Sequence, residues 1–350
     1  MGTDEKIKIS IIMPVYNRAH VLPRSVRSVL NQTLREIELV CINDGSTDDS
    51  VRVLKRLAHE DPRIRVLSQR NAGSGPARNH GLKRAKGEFI AFLDSDDWYA
   101  SDDVLEKLYE TAVEQHVKVC LGGSRNIDHG KLLPLEEPGK VYFTKNALIS
   151  YEDYQYPYGY WRGIYERRML LDNEIYFPDY RRYQDPPFFV NAMICAERFY
   201  ALTTIVLIYD RSTNYQSIRW DERKTTDLLE GIRDVVRMAQ KQSYVQMQKD
   251  VIKDIKVGRW HQVFRDHLRR EWIEAQAAMQ EANDYFLESA MRQYGLPKGE
   301  KPFDRLLRDV FGNSIHSKTR KYTFYIKEKM KITESRYMNA RDKKIRRKWL

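Results

Sequence analysis

The 350-residue chain is 42% hydrophobic and 11% aromatic, enough to bury a sizeable core, and wholesale disorder is excluded. Its net charge of +11 is concentrated at one end: residues 318–350 carry 13 Lys and Arg against Glu328, Glu334 and Asp342, so the remainder is near neutral. No apolar run approaches the ~20 residues that cross a bilayer, a secretory leader is not expected, and Lys6 stands where a myristoylation signal needs Ser or Thr.

In chain order, the first 122 residues alternate between β-branched runs and helical patterns. Strands are predicted at residues 8–13, 38–43, 64–68, 88–93 and 117–121, and helices at 21–30, 50–59, 75–85 and 102–115. Ser46-Thr47-Asp48-Asp49 supplies cap formers ahead of the second helix. Such alternation implies right-handed crossovers and a mostly parallel sheet covered by helices on both faces. Ligands of these sheets bind beyond the carboxyl ends of the strands, where strand order reverses. Polar groups stand there: Pro14-Val15-Tyr16-Asn17 ends the first strand, Asp44 the second, and Asp94 and Asp96 the fourth. Three strand ends thus predict one shared site.

Residues 141–209 read as an irregular, aromatic-rich stretch, with six tyrosines from Tyr151 to Tyr165, and are expected to form pocket walls. Beyond Asp221 the pattern turns helical. Leu228, Leu229, Ile232, Val235, Val236 and Ala239 share one face, and further helices are predicted at 248–257, 262–294, 303–311 and 320–348. Cys41, Cys120 and Cys195 are scattered, odd in number and set in apolar runs, which points to reduced structural thiols and a cytoplasmic protein.

Asp94-Ser95-Asp96-Asp97 carries the chemistry. Two carboxylates separated by one residue at a strand end can face one side, hold a hard divalent cation (Mn2+ or Mg2+) through oxygen, and leave room for phosphate oxygens. The cation would then offset charge on a departing diphosphate. Taken alone, the spacing suits a capped turn equally well. Its company is more specific. Pro14-Val15-Tyr16-Asn17, Asn43-Asp44-Gly45-Ser46-Thr47-Asp48, Asn71-Ala72-Gly73-Ser74-Gly75-Pro76-Ala77-Arg78-Asn79-His80-Gly81 and Asp94-Ser95-Asp96-Asp97 follow one another in that order. In this order and spacing the chain resembles the inverting family 2 glycosyltransferases of the GT-A fold, over about residues 7–220.

The resemblance implies an α/β fold, Rossmann-like, with a mostly parallel sheet flanked by helices, and a catalytic domain over 1–220. The helical pattern and charge run beyond it predict a C-terminal α-helical extension over 221–317 and a basic amphipathic tail over 318–350. Pro14, Tyr16 and Asp44 then correspond to the nucleoside-binding group, with Asn17 supporting the same loop. Arg78 corresponds to a contact to the diphosphate or donor sugar, Asp94 and Ser95 to donor contacts, and Asp96 to the metal ligand. Gly73 and Gly75 permit close backbone approach, and the helix that follows favours negative charge. Asp97 is better explained as a structural carboxylate.

Inversion by direct displacement requires a base for the acceptor hydroxyl. The family places an acidic pair some ninety residues after the metal motif, and Asp185 of Tyr183-Gln184-Asp185-Pro186-Pro187 occupies that place. Gln184 departs from the usual Glu and leaves Asp185 to act alone. Asp185 also suits a cap for a helix over 188–195. Gln216-Ser217-Ile218-Arg219-Trp220 resembles the Gln-x-x-Arg-Trp string of processive members, and Gln216, Arg219 and Trp220 are carried as acceptor or donor contacts. Trp161, with Tyr156, Tyr158 and Tyr160, could stack on sugar faces or belong to the core.

The basic tail, interleaved with Tyr322, Tyr325, Ile326, Met330 and Trp349, suits either an anionic membrane surface, at the inner face of the plasma membrane, or a solvated helix packing one face on the body. No nucleic-acid motif is present. The expected function is metal-dependent transfer from a nucleotide sugar, of the UDP type, to a glycan or lipid-linked acceptor in surface polysaccharide synthesis. The alternative is a non-catalytic nucleotide-sugar or glycan-binding subunit. The oligomeric state is left open.

Overall fold

The first strand, β1 (Ile9–Val15), and the second, β2 (Ile37–Asn43), are buried at every residue. Runs apolar on both faces are stable only inside a sheet covered on both sides, and the helices between the strands provide that cover. The computed structural model describes residues 6–135, 139–213 and 220–256. These lie in the first of two compact units, Met1–Gln276; the second is Ala277–Leu350. The helices predicted at 262–294, 303–311 and 320–348, and the basic tail, lie outside the described residues.

Helix α1 (Leu22–Leu30) follows β1, α2 (Ser50–Glu60) follows β2, and α3 (Ser74–Arg84) joins β3 (Ile64–Ser68) to β4 (Phe89–Phe92). These strands pair in parallel in the order β3-β2-β1-β4. The chain leaves β1 toward β2 and β3, then returns to its other side with β4. Strand order therefore reverses between β1 and β4, and there Pro14–Asn17 and Asp94 stand side by side.

The rest of the sheet is built from β5 (Trp98–Tyr99), α4 (Val104–Glu114), β6 (Val119–Asp128), β7 (Lys131–Leu132), β8 (Ala147–Ser150), α5 (Tyr151–Tyr154), β9 (Gly163–Glu166), α6 (Arg167–Asp172), α7 (Asp185–Ala196) and β10 (Arg198–Asp210). Ten strands form one sheet, with β3-β2-β1-β4-β9-β6-β10-β5 as its main path. Because β9 is antiparallel to both β4 and β6, and β10 is parallel to β6, six strands share one direction. The sheet is mixed but mostly parallel. Two helices, α8 (Glu222–Lys241) and α9 (Val245–Lys256), follow.

The aromatic stretch departs from its expected role as irregular wall. It holds β8, β9, β10 and α5 to α7, and Tyr151, Tyr160 and Tyr165 are at most 2% exposed. Strand β9 has only four residues and exists because its neighbours fix it: a Cβ on Gly163 would stand 2.1 Å from the Cys120 carbonyl oxygen. A local pattern cannot announce such a strand.

The cap formers before α2 also act differently from expectation. Asp49 makes no side-chain cap, while Ser46 Oγ accepts from Asn17 N–H, Asp48 Oδ2 from Ala19 N–H and Ser50 Oγ from Arg18 N–H. The polar run staples the β1–α1 loop to the β2–α2 loop, since both arrive at the same rim. Cys41 and Cys120 are buried free thiols in the sheet, and burial pushes Cys41 up to about 12.

Candidate active site

Two loops form the first wall. Asn17 adopts a left-handed backbone (φ 52°), and its Oδ1 accepts from Thr47 N–H at 2.8 Å, fixing the exit of β1 against the exit of β2. Tyr16, beside it, leaves 46% of its surface exposed, an aromatic face open at the rim. Pro14 is buried within β1. Asp44 is 3% exposed and receives three hydrogen bonds: Ala72 N–H and Gln69 Nε2 on Oδ1, and Gly73 N–H on Oδ2. Its carboxylate thereby orders the loop into α3. It keeps acceptor capacity on Oδ2 alone for anything further.

Arg78, on α3, is the centre of the site. It is 3% exposed; Nη2 donates to Asp94 Oδ1 at 2.6 Å and Nη1 to Asp185 Oδ1 at 3.1 Å. Its guanidinium lies 4.9 Å from the ring centre of Tyr160 and 5.2 Å from that of Phe177. Phe177 stacks on Phe188 at 3.9 Å, and Phe92 packs edge-on against both. The aromatic cluster is a bed for a cation. Burial opposes the Arg78 charge, but Asp94, Tyr160 and Asp185 outweigh it and hold the guanidinium protonated above its usual range.

Asp94-Ser95-Asp96-Asp97 turns beyond β4, with Asp97 N–H donating to the Asp94 carbonyl. Helix α1 pins the turn: Ser25 Oγ donates to the Ser95 carbonyl at 2.9 Å and Arg24 Nη2 to the Asp96 carbonyl at 3.0 Å. Ser95 is thus buried with its carbonyl engaged. Asp94 Oδ2 accepts from Tyr160 OH at 3.4 Å. Asp97 accepts from Asp210 N–H, and burial, then the charges of Asp94 and Asp96, push its carboxyl well above the usual carboxylate range. A buried Asp97, hydrogen-bonded to the Asp210 backbone, fits the structural role expected of it.

Asp96 is 6% exposed, with Oδ2 3.5 Å from Arg18 Nε. Among the described residues no group of three His, Cys, Asp or Glu converges as an all-protein metal cage. One or two oxygen ligands at the end of β4 nevertheless fit magnesium or manganese, which commonly completes its shell with substrate phosphates and water. Arg18, itself partly exposed, neutralises Asp96 meanwhile.

Asp185 opens α7. Gln184 takes the flanking position and Pro186 and Pro187 lie in the first turn, so Asp185 is the first helical residue and not the cap of a helix beginning at Phe188. Gln184 donates from Nε2 to Ser74 Oγ at 2.9 Å, tying the start of α7 to the start of α3. The Asp185 side chain keeps 34% of its surface. Burial raises its carboxyl to about 6; Arg78 lowers it, Asp94 adds to the rise and Arg182 opposes it.

Arg182 was not among the expected site residues. Its Nε is buried without a hydrogen-bond partner among the described residues, its charge acts on Asp185, and its guanidinium lies 5.8 Å from the Trp220 ring centre. The signal was a basic pair, Arg181-Arg182, just ahead of the candidate base. Trp220 thus reaches the surroundings of Asp185 through Arg182, while Gln216 and Arg219 lie outside the described residues. Trp161 stacks on Tyr209 at 6.4 Å and packs on the core. Of the tyrosines expected near it, Tyr160 reaches the site from beneath, and Tyr158 OH donates to Asp254 instead.

A mostly parallel sheet with an aspartate turn at its switch point, a buried arginine and a facing carboxylate defines a GT-A nucleotide-sugar scaffold. The family model described as glycosyl transferase family 2 matches residues 10–170. The chain is 31% identical over 251 residues to glycosyltransferase GlyG of Streptococcus pneumoniae, spanning 67% of this chain and 78% of that one. It belongs to glycosyl transferase family 2. It is also 33% identical over 217 residues to the uncharacterized glycosyltransferase EpsJ of Bacillus subtilis, covering 59% of this chain and 62% of EpsJ. The crystal structure of Staphylococcus aureus TarS 1-349 in complex with UDP-GlcNAc shares the fold, with a TM-score of 0.61, 22% identity and 81% of each chain covered. Among the described residues no helix is long and apolar enough to cross a membrane.

Proposed function

We propose that this chain transfers a sugar, with inversion, from a UDP-type donor to a hydroxyl of a glycan or lipid-linked acceptor in surface polysaccharide synthesis. The observation that carries the proposal is the Arg78 bridge. One buried cation joins Asp94, at the strand end where a diphosphate sugar would lie, to Asp185, whose carboxyl is held near the pH at which a general base works best. A binding subunit has no need of that second carboxylate. UDP-GlcNAc in the TarS structure supports a uridine diphosphate donor.

In this scheme Tyr16 stacks on the nucleobase, the Asp44 loop orders the nucleoside wall, and Arg78 and Asp94 orient the donor. Asp96 would hold a divalent cation, which when bound would supply neutralisation of the leaving diphosphate. Asp185 takes the acceptor proton as the hydroxyl oxygen bonds to the anomeric carbon and the bond to the diphosphate breaks. Arg182 and Trp220 border the acceptor side, and Gln216, Arg219 and Trp161 are kept from the sequence reading as proposed acceptor or donor contacts. The domain plan of 1–220 catalytic, 221–317 helical and 318–350 tail is proposed alongside it, with the tail on anionic lipid at the cytoplasmic face.

A thermal-shift screen of nucleotide sugars with manganese or magnesium identifies the donor by mass action. Asp185→Asn should then leave donor binding nearly intact and lower turnover by about 10²–10⁴-fold, and Asp96→Ala should abolish metal-dependent donor binding. Wild-type turnover in Asp185→Asn places the base elsewhere.

A further inference from the structure

Three residues just before Asp185, Tyr180, Arg181 and Tyr183, are held from one side by the helices that follow the sheet, the last of them through Tyr158. Tyr180 OH donates to Asp234 Oδ2 at 2.8 Å, and Arg181 N–H donates to Asp227 Oδ2 at 2.7 Å. Tyr183 OH meets Tyr158 OH at 3.0 Å, and Tyr158 OH donates to Asp254 Oδ2 at 2.7 Å. Asp227, Gly231 and Asp234 fall at the i, i+4 and i+7 positions of α8, a single face.

Gly231 sits between the two aspartates on that face. A Cβ there would stand 2.8 Å from the Tyr183 carbonyl oxygen and 2.9 Å from its Cδ1. Glycine inside a helix is less favourable than alanine, and here it lets α8 approach the Tyr183 backbone. That backbone is itself unusual: Tyr183 has φ 63°, a left-handed conformation that a bulky residue holds only where its surroundings over-determine it. Two residues later the chain enters α7 at Asp185. From the other side, Arg181 Nη1 reaches Asn71 Oδ1 at 3.4 Å and Gln184 ties to Ser74, so the segment is fixed between α8–α9 and the loop into α3.

We infer that α8 and α9 are a positioning device for the candidate base: Asp227, Gly231, Asp234 and Asp254 hold the left-handed turn at Tyr183 and thereby aim Asp185 at Arg78. The inference rests on the proposed role of Asp185. It makes the helical pair part of the active centre and assigns positioning roles to residues that touch no substrate.

The groups facing Asp185 are Arg78 from α3, Asp94 from the turn after β4, Tyr160 from the turn at Tyr160–Arg162, and Arg182 from its own segment. If the turn at Tyr183 relaxes, Asp185 leaves this enclosure for water and its proton affinity falls. The test is carbodiimide labelling of Asp185 across pH in the full chain, read by mass spectrometry, for wild type, Gly231→Ala and the milder Tyr180→Phe, each checked by thermal melting. In wild type the labelling midpoint is expected at about 6. In both variants it should fall by about one pH unit or more, toward the ordinary carboxylate range, with affinity for UDP plus manganese within about twofold of wild type. Folded variants that keep the wild-type midpoint overturn the positioning role. Failure of the proposed function is separate: Asp185→Asn would keep wild-type transfer whatever the midpoints do. If both hold, Gly231→Ala should lower turnover in the wild-type background and have no further effect in Asp185→Asn.

Discussion

Arg78 Nη1 meets Asp185 Oδ1 at 3.1 Å, although the arginine is nearly sealed from solvent and the aspartate keeps a third of its side chain exposed. One guanidinium thus spans Asp94, the proposed donor-side carboxylate, and Asp185, the proposed base. The planar fork is what makes this possible. An ammonium is a point charge and cannot serve two carboxylates along fixed directions.

Arg78→Lys is therefore expected to be far from conservative. Turnover should fall by about 10²-fold or more, comparable to loss of a positioned acid–base group. The acid limb of the pH–rate profile should move up, because Arg78 is what holds Asp185 down against burial. Steady-state kinetics from about pH 5 to 8 with the donor selected by thermal shift check both effects.

The shifted Asp185 carboxyl has opposite consequences for activity and stability. A base works ionised, so activity should rise through about 6 and then level off. For stability, a carboxyl whose folded value exceeds its unfolded one favours the fold when protonated. That contribution is complete below about 4 and is lost as pH rises through about 6. Asp185→Asn, which cannot ionise, should melt at or above wild type at about pH 7.5 and lose that advantage at about pH 4. A lower melting temperature at the higher pH would contradict this.

Much of the site was legible because its residues sit at strand ends and a strand end can be read locally. Asp44, Asp94 and Asp96 follow unbroken apolar runs, and β1, β2 and β4 do lie side by side with those ends together. Asp185 was legible through the family resemblance, which places an acidic pair some ninety residues after the aspartate turn. The Arg78 bridge was not legible, since its two partners lie 16 and 107 residues away in sequence. Nor was the role of the tyrosines, because burial of Tyr160 beneath Arg78 depends on β9 entering the sheet between β4 and β6. The left-handed turn at Tyr183 has no local signal at all, and the glycine that lets α8 approach it, Gly231, lies 48 residues on.

Strand β9 offers a direct test of that dependence. Gly163→Ala places a methyl 2.1 Å from the Cys120 carbonyl oxygen, a backbone atom that cannot swing aside. The expected loss is about 3 kcal/mol or more, the upper range for overpacking, and it should fall on β4 and β6 together. Denaturant unfolding gives the magnitude, and hydrogen exchange should show lowered protection in both neighbouring strands.

The concentration of cations in residues 318–350 predicts binding to anionic bilayers that weakens with salt. Flotation with vesicles of phosphatidylcholine alone, and with added phosphatidylglycerol, compares the full chain with one cut at Ser317. The full chain should float only with the anionic lipid; equal flotation of the shortened chain would dispose of the tail's role.

The most direct measurement is a crystal structure of the full chain with manganese and uridine diphosphate, read at the manganese absorption edge. The ion should bind an Asp96 oxygen at about 2.1 Å and touch the diphosphate, leaving Asp185 uncoordinated with its free oxygen toward the acceptor side. Manganese on Asp185, or a diphosphate remote from both Asp96 and Arg78, would contradict the proposed transfer chemistry.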